Sequence, residues 1–271
     1  MVAPLRVLVT RPVQEAGRWV TGLRAAGLDA LALPLIAIEP VGDEAREVLQ
    51  AHWKAIATYR AVMFVSAAAV NCFFAEKPSR GGGLPTDEAS EGLPADLRWW
   101  ATGPGTVAAL HRCGVPAALV DTPATAASRF DSEALWAQVQ GQAGSADRVL
   151  IVRGGDANDQ PTGRSWLARQ VEATGAVCEQ VVAYRRQVPA FTAQDRCLAE
   201  ASAIDGAIWL FSSSEAVGNL LQWLPVTSWA QARAVATHSR IAQAAHEAGF
   251  GQVRASQPLL EALTASIESL R

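Results

Sequence analysis

The chain carries nearly the same text twice, and this duplication constrains its fold more than any other feature. Val7-Leu8-Val9-Thr10-Arg11-Pro12 returns as Val149-Leu150-Ile151-Val152-Arg153-Gly154. Phe64-Val65-Ser66-Ala67-Ala68-Ala69-Val70 returns as Phe211-Ser212-Ser213-Ser214-Glu215-Ala216-Val217. Ala101-Thr102-Gly103-Pro104-Gly105-Thr106 is answered by Ala236-Thr237-His238-Ser239-Arg240-Ile241. The order is the same in both passes. A duplicated α/β unit predicts two similar lobes, and two facing lobes predict a cleft.

Each pass opens on a βαβ pattern. Leu5–Val9 is a short apolar run of the kind found in buried parallel strands, and Thr10-Arg11-Pro12 breaks it. From Glu15 to Ala26 the spacing of Trp19, Val20 and Leu23 predicts a helix, with Gly27 as its cap. Leu31–Ile38 reads as the next strand. The second pass predicts a strand over Val149–Val152, a turn at Arg153-Gly154-Gly155, and a helix from Trp166 to Ala173 closed by Gly175. A strand over Val177–Tyr184 then ends at polar Arg185-Arg186. Measured from the glycine caps, Ile36 and Tyr184 are in register.

Further strand–turn–helix patterns follow in each pass. They are Ala61–Val65 into Ser66–Phe74 and Arg98–Ala101 into Thr106–Cys113, then Ala207–Phe211 into Ser212–Leu221 and Ala234–Ala236 into Arg240–Ala248. Gly114 and Gly249 end their helices in matching places. Strands alternating with helices predict an α/β protein with parallel sheets covered on both faces. Ala75–Pro94, which contains Gly81-Gly82-Gly83, reads as a mobile surface loop. Gly141–Asp147 reads as a polar link between the passes. The tryptophans Trp19, Trp53, Trp136, Trp166 and Trp209 sit in helical or strand contexts, as packing residues do.

The chain has 271 residues, half of them apolar, with a formal charge of −3. That length holds a real core and suits two domains. The near-neutral charge lacks the footprint of a nucleic-acid binder. Cys72, Cys113, Cys178 and Cys197 form no Cys-x-x-Cys pair, and no histidine stands at zinc-ligand spacing, so no metal site is expected. Met1 to Arg6 runs straight into a strand, no apolar segment has signal-peptide length, and none nears the ~20 residues of a membrane span. A cytoplasmic setting is expected.

Ligands of open parallel sheets bind beyond the carboxyl ends of the strands. Those ends carry Thr10-Arg11, Ser66, Thr102-Gly103, Arg153-Gly154, Ser212-Ser213-Ser214 and Thr237-His238. The set is small, hydroxylated or cationic. Several members begin helices, where free N–H groups and the helix dipole favour anions. Each also has a plainer role: a serine or threonine before a helix is usually its cap, and Arg11 and Arg153 can be surface charges. Thr102-Gly103-Pro104-Gly105 lacks the Gly-Lys-Ser/Thr ending of a phosphate loop, and no G-x-S-x-G elbow surrounds a serine. Asp156 and Asp159 read as a solvated turn, and His52, His111, His238 and His246 are dispersed. Tyr184, one of only two tyrosines, ends a strand in this reading and carries a proton it could donate.

These residues taken together resemble the uroporphyrinogen-III synthase family over nearly the whole chain. The carriers are Val7-Leu8-Val9-Thr10-Arg11-Pro12, Phe64-Val65-Ser66 with Ala69-Val70, and Thr102-Gly103-Pro104-Gly105-Thr106. In the second half they are Arg153-Gly154-Gly155, Gly163-Arg164, Tyr184 and Ser212-Ser213-Ser214-Glu215-Ala216-Val217. The resemblance implies an enzyme without cofactor, a hydro-lyase that cyclises hydroxymethylbilane to uroporphyrinogen III and inverts the last pyrrole ring. Its substrate carries eight carboxylates, which suits the anion-friendly strand ends. It implies two flavodoxin-like, three-layer lobes that exchange segments and are joined by a two-strand linker. Residues 1–38 and 185–271 would form one lobe and 39–184 the other.

On the same resemblance Tyr184 is the general acid, and Thr10, Arg11, Ser66, Thr102, Gly103, Arg153, Ser213, Ser214 and Thr237 position substrate. A monomer is expected, with transient contact to the upstream bilane-forming enzyme and no nucleic-acid or membrane partner. The chain departs from the family pattern at Ala68, where Asn is common, and at His238 and Ile241, which replace Gly and Thr. The rival reading is a two-lobe binding protein for small anions without catalysis. A response-regulator-like module would need acidic residues where Thr10-Arg11 stands.

Overall fold

The computed structural model describes residues 5–78, 93–124, 130–163 and 165–270. The sequence-predicted loop at Ala75–Pro94 falls largely on 79–92, outside the described residues, as does Arg164. In chain order the elements are β1 (Arg6–Val9), α1 (Val13–Ala25), β2 (Asp29–Ala32), β3 (Ala37–Pro40), α2 (Asp43–Lys54), β4 (Ala61–Phe64), α3 (Ala67–Ala75), β5 (Arg98–Ala101) and α4 (Pro104–Arg112). They continue with β6 (Val120–Asp121), α5 (Ser132–Val139), β7 (Arg148–Gly155), α6 (Trp166–Ala173), β8 (Val177–Gln187) and α7 (Ala193–Ala201). The chain closes with β9 (Ile208–Phe211), α8 (Ser214–Trp223), β10 (Arg233–Ala236), α9 (Ser239–Glu247), β11 (Gln252–Ala255) and α10 (Leu260–Glu268).

These elements form two compact units. One comprises Met1–Ala37 and Gln187–Arg271, the other Ile38–Arg186. The first holds a sheet ordered β11-β10-β9-β1-β2, and the second a sheet ordered β3-β8-β7-β4-β5-β6. Every strand pair with a described register is parallel. The two passes of the sequence are therefore shuffled. The opening βαβ of the first pass, β1-α1-β2, pairs with β9 to β11 of the second, and β7-α6-β8 of the second pairs with β4 to β6 of the first. The chain leaves one unit within β3 and returns at the end of β8, and these two strands are neighbours.

Each unit is a three-layer sandwich because its central strands are apolar on both faces. All four residues of β4 and of β9 are buried. In the second unit Val62, Phe64 and Trp99 join a core with Trp53 of α2 and Phe73 of α3. Their neighbours Ala61, Met63 and Trp100 face the opposite core, under α5 and α6. In the first unit Ile208 and Leu210 pack with Trp19 and Leu23 of α1 and Leu263 of α10. Trp209 and Phe211 alternate to the other side, where they meet Trp229 and Phe250. Gly27 and Gly175 close α1 and α6 in the left-handed region, at φ +83° and +86°, so the duplicated caps are alike in conformation.

Three local expectations need correction. Leu31–Ile38 is not one strand: β2 stops at Ala32 and β3 starts at Ala37, in the other sheet. Pro34 lies in the gap, where it has no N–H to give a ladder. Arg153-Gly154-Gly155 is not a turn but the end of β7, which pairs with Val182, Tyr184 and Arg185 across a register shift at Arg153/Gly154. Tyr184 does not end its strand, since β8 runs on through Arg185 and Arg186 to Gln187.

Candidate functional site

The ten sequence candidates divide evenly between the units. Thr10, Arg11, Ser213, Ser214 and Thr237 belong to the first, at the carboxyl ends of the adjacent strands β1, β9 and β10. Thr10 is buried and its hydroxyl donates to the Leu210 carbonyl at 2.8 Å, so it seals the strand end. The Thr237 N–H donates to the Phe211 carbonyl at 3.0 Å. Ser213 caps α8, its hydroxyl oxygen accepting the Glu215 N–H at 3.2 Å, and Ser214 is the exposed first residue of that helix. His238 caps α9 through Nδ1, which accepts the Arg240 N–H at 3.1 Å. The imidazole thus supplies a cap where the family pattern has glycine.

Arg11 is engaged within its own unit. Its guanidinium donates to Glu15 at 2.8 Å and lies 4.4 Å from the centroid of the Trp19 ring. Burial pulls its pKa below the ordinary value, and Glu15 opposes that shift. The N-termini of α1, α8 and α9 open on the same edge, each with backbone N–H groups that no helical carbonyl takes.

Ser66, Thr102, Gly103, Arg153 and Tyr184 belong to the second unit, where β8, β7, β4 and β5 lie side by side. Tyr184 is buried on β8. Its ring lies against Gly154 on β7: a Cβ there would stand 2.7 Å from both Cε2 and Cζ of the tyrosine. The phenol reaches the residue after β4, and its oxygen is 3.1 Å from Ser66 Oγ. Ser66 also caps α3, accepting the Ala69 N–H at 3.1 Å. Thr102 donates its hydroxyl to the Val65 carbonyl at 3.2 Å, and the Gly103 carbonyl accepts the N–H groups of Thr106 and Val107 as α4 begins. Ser66, Thr102, Gly103 and Tyr184 thus gather at one strand-end edge.

Arg153 differs from Arg11, its counterpart in the duplication: Arg11 lies beyond β1, whereas Arg153 is within β7. It is buried, donates to Gln180 Oε1 at 2.7 Å and also to the Thr162 carbonyl. Burial lowers its pKa, and the nearby Tyr184 opposes that shift. Gln180 and Thr162 carry no local sequence signal for this role.

Two further clusters were not legible in the sequence. Asp159, read as a solvated turn residue, is bound by Arg185 and by the Gly42 N–H. His52, read as dispersed, is 2.7 Å from the Tyr59 hydroxyl, which donates to Glu179 at 2.8 Å while Arg148 grips the same carboxylate. This second cluster lies toward the amino ends of β7 and β8, away from the candidate residues of its own unit. Among the described residues no group of three or more His, Cys, Asp or Glu could hold a metal ion. Among them, too, no helix is long and apolar enough to cross a membrane.

The family model of uroporphyrinogen-III synthase HemD matches residues 17–265. The chain belongs to the uroporphyrinogen-III synthase family. Two solved members of that family share its fold. A mutant uroporphyrinogen III synthase from the extremely thermophilic bacterium Thermus thermophilus is 15% identical with a TM-score of 0.56, covering 98% of each chain. The uroporphyrinogen-III synthetase of Helicobacter pylori is 14% identical with a TM-score of 0.58, covering 98% of this chain and 100% of that one. Identity this low leaves the fold as what these structures share with the chain, and the family model carries the membership.

Proposed function

We propose that this chain is a uroporphyrinogen-III synthase, which closes hydroxymethylbilane into uroporphyrinogen III with inversion of the last pyrrole ring and loss of water. The observation that carries the reading is the family match over residues 17–265. The family makes tetrapyrroles, so the chain is an enzyme of porphyrin biosynthesis. We read the reaction as that of a cyclising hydro-lyase needing no cofactor, in the cytoplasm, on a substrate received from the bilane-forming enzyme.

The chemistry needs little from the protein beyond placement and one proton. Tyr184 gives its phenolic proton to the hydroxymethyl oxygen. The C–O bond breaks with its electrons on oxygen, water leaves, and the pyrrole nitrogen lone pair fills the carbon to give an azafulvene cation. Attack by the last ring then leads through a spiro intermediate to the inverted product. Thr102, Gly103, Ser213, Ser214 and Thr237, at strand ends and helix starts, suit substrate carboxylates through hydroxyls and backbone N–H groups. Arg11 adds positive charge on the edge of its unit. Thr10 and Arg153 act from behind, through the backbone and side chains they hold.

The reading is tested by incubating the purified protein with enzymatically generated hydroxymethylbilane and separating the type I and type III isomers. Type III is expected, and type I alone would refute it. A binding protein without catalysis would give type I alone.

A further inference from the structure

We infer that the second unit carries a further ligand site, at the opposite end of its sheet from Ser66 and Thr102. It takes a small aliphatic amino acid as its zwitterion, with the carboxylate on Arg60 and the ammonium on Asp96 and Asp147. The inference goes beyond the tetrapyrrole reading and does not rest on it.

Topology sets the place. β4 lies between β5 and β7, and all three strands run parallel. Their amino ends carry Arg60, Arg98 and Arg148, with Arg60 one residue before β4. A cavity of about 320 Å³ opens beside these ends, lined by Arg60, Asp96, Ala146, Asp147 and Arg148, with buried Leu97 in its wall. Ligand pockets hold about 300–1,000 Å³, so this one suits a small metabolite and not a tetrapyrrole.

The charges on its walls decide the ligand. Arg98 gives its guanidinium to Asp121, and Arg148 gives its own to Glu179. Arg60 has no such carboxylate. Its Nε donates to the Gln142 carbonyl at 3.1 Å, and among the described residues nothing receives Nη1 or Nη2. Asp96 is exposed and makes no hydrogen bond or ion pair among those residues. Asp147 spends one oxygen on the Gly144 N–H at 2.9 Å and meets no cation among them. One cation and two carboxylates without counter-charges thus share a cavity and do not pair with each other. A lone anion is drawn by Arg60 and repelled by the carboxylates, and a lone cation the reverse. A molecule with both charges on one short frame satisfies both walls. Nη1 and Nη2 are also the two donors of a fork that matches a carboxylate.

The wall that bears Asp147 is set before any ligand arrives. Ala146 is left-handed, at φ +74°, in the turn that the Asp147 N–H closes on the Gly144 carbonyl at 3.0 Å. Alanine takes that region at a cost glycine avoids, and such strain gathers at ligand clamps. The Asp147 carboxylate bonds back to Gly144 and holds the turn in place.

The test titrates L-valine and γ-aminobutyrate into the isotope-labelled full chain and follows the amide resonances of Asp96, Ala146 and Asp147. Butyrate and propylammonium serve as the single-charge controls, and the melting midpoint of each variant checks that it is folded. At least one of the two amino acids is expected to give saturable shifts at these residues at millimolar concentration. Both controls are expected to bind about 5-fold more weakly, the upper worth of one exposed ion pair. Arg60→Gln and Asp96→Asn are each expected to weaken the amino acid by a similar factor, and Arg60→Gln to leave propylammonium unaffected. Shifts that do not saturate with either amino acid, or controls that bind as well as the amino acids, would overturn the inference. Wild-type affinity in either folded variant would overturn it too. Asp96→Asn removes no contact within the protein, so its result decides the matter should Arg60→Gln, which also loses the Gln142 carbonyl, fail to fold.

Discussion

Arg185 holds Asp159 by two charge-assisted hydrogen bonds, Nε to Oδ1 at 2.7 Å and Nη2 to Oδ2 at 2.5 Å. Asp159 stands in the loop after β7 with its backbone in the left-handed region, at φ +57°, and it also accepts the Gly42 N–H at 3.3 Å just before α2. One carboxylate therefore ties three segments of the second unit together, close to where the chain enters and leaves it. Parallel hydrogen bonds of this kind are the strong class of ion pair.

Asp159→Asn is expected to lower the thermal midpoint of the protein, because the amide cannot receive the guanidinium as a charged fork. The Arg185 hydrogen bonds hold the Asp159 carboxyl below its ordinary pKa. Its contribution to stability is therefore complete above the unfolded value of about 4 and is lost as pH falls through the lower, folded value. The gap in midpoint between wild type and Asp159→Asn should stay level from neutrality to about pH 4 and narrow below it. A gap that is absent at neutral pH would show the pair to be idle.

His52 gives a second pH dependence at milder acidity. The Tyr59 proton goes to Glu179, so the His52 Nδ1 facing the phenol carries a proton in the neutral ring. Burial lowers the His52 pKa, with Glu179 opposing the shift. Below about pH 6.5 the unfolded chain takes up a proton that the folded chain resists, so stability falls with pH from there down to the folded value. His52→Gln should flatten the pH dependence of the melting midpoint between about pH 7 and 5. An unchanged slope would count against the buried neutral imidazole.

Gly154→Ala tests the seat of the tyrosine. The new methyl would meet the Tyr184 ring at 2.7 Å, and the ring must move. Overpacking of this kind costs about 1–3 kcal/mol, to be read from denaturant midpoints. Turnover should fall at least as far as in Tyr184→Phe, for which about 10²-fold or less is expected, the low end of what one general acid contributes. Both variants should still give the type III isomer, because ring inversion depends on how the substrate is folded by the site. Gly154→Ala with full activity would detach the tyrosine from the chemistry.

Salt tests the electrostatic part of substrate capture. With eight carboxylates on the substrate, KM should rise with ionic strength as screening shortens to about 8 Å at physiological salt. Arg11, still partly exposed beside Glu15, is the candidate that should contribute. A KM independent of salt would leave Arg11 with its local partners Glu15 and Trp19 alone.

The sequence made the architecture legible wherever the signal was local. Short apolar runs such as Ile208–Phe211 became doubly buried strands, and Ser66 and Ser213 became helix caps. Gly27 and Gly175 took the left-handed conformation expected of glycine caps. The two-pass text alone suggests contiguous halves, and the family resemblance supplied the exchange of segments, because strand pairing between residues so far apart in the chain leaves no local mark. The site was legible in the same uneven way. Strand-end hydroxyls could be named from position, but the bridge from Tyr184 over Gly154 to Ser66 depends on a register shift within β7 and β8. Asp159 and Arg185 lie 26 residues apart, and Arg11 and Arg153 look alike in sequence while one pairs with Glu15 and the other is buried against Gln180. Contacts that arise from packing have no spacing to read.

The proposed activity directs hydroxymethylbilane to the type III product. The measurement is the isomer ratio after the purified protein, with chelator and no added cofactor, receives freshly generated hydroxymethylbilane, beside a protein-free control. Type III is expected as the main product, against type I alone in the control. A ratio equal to that of the control, from folded protein, would contradict it.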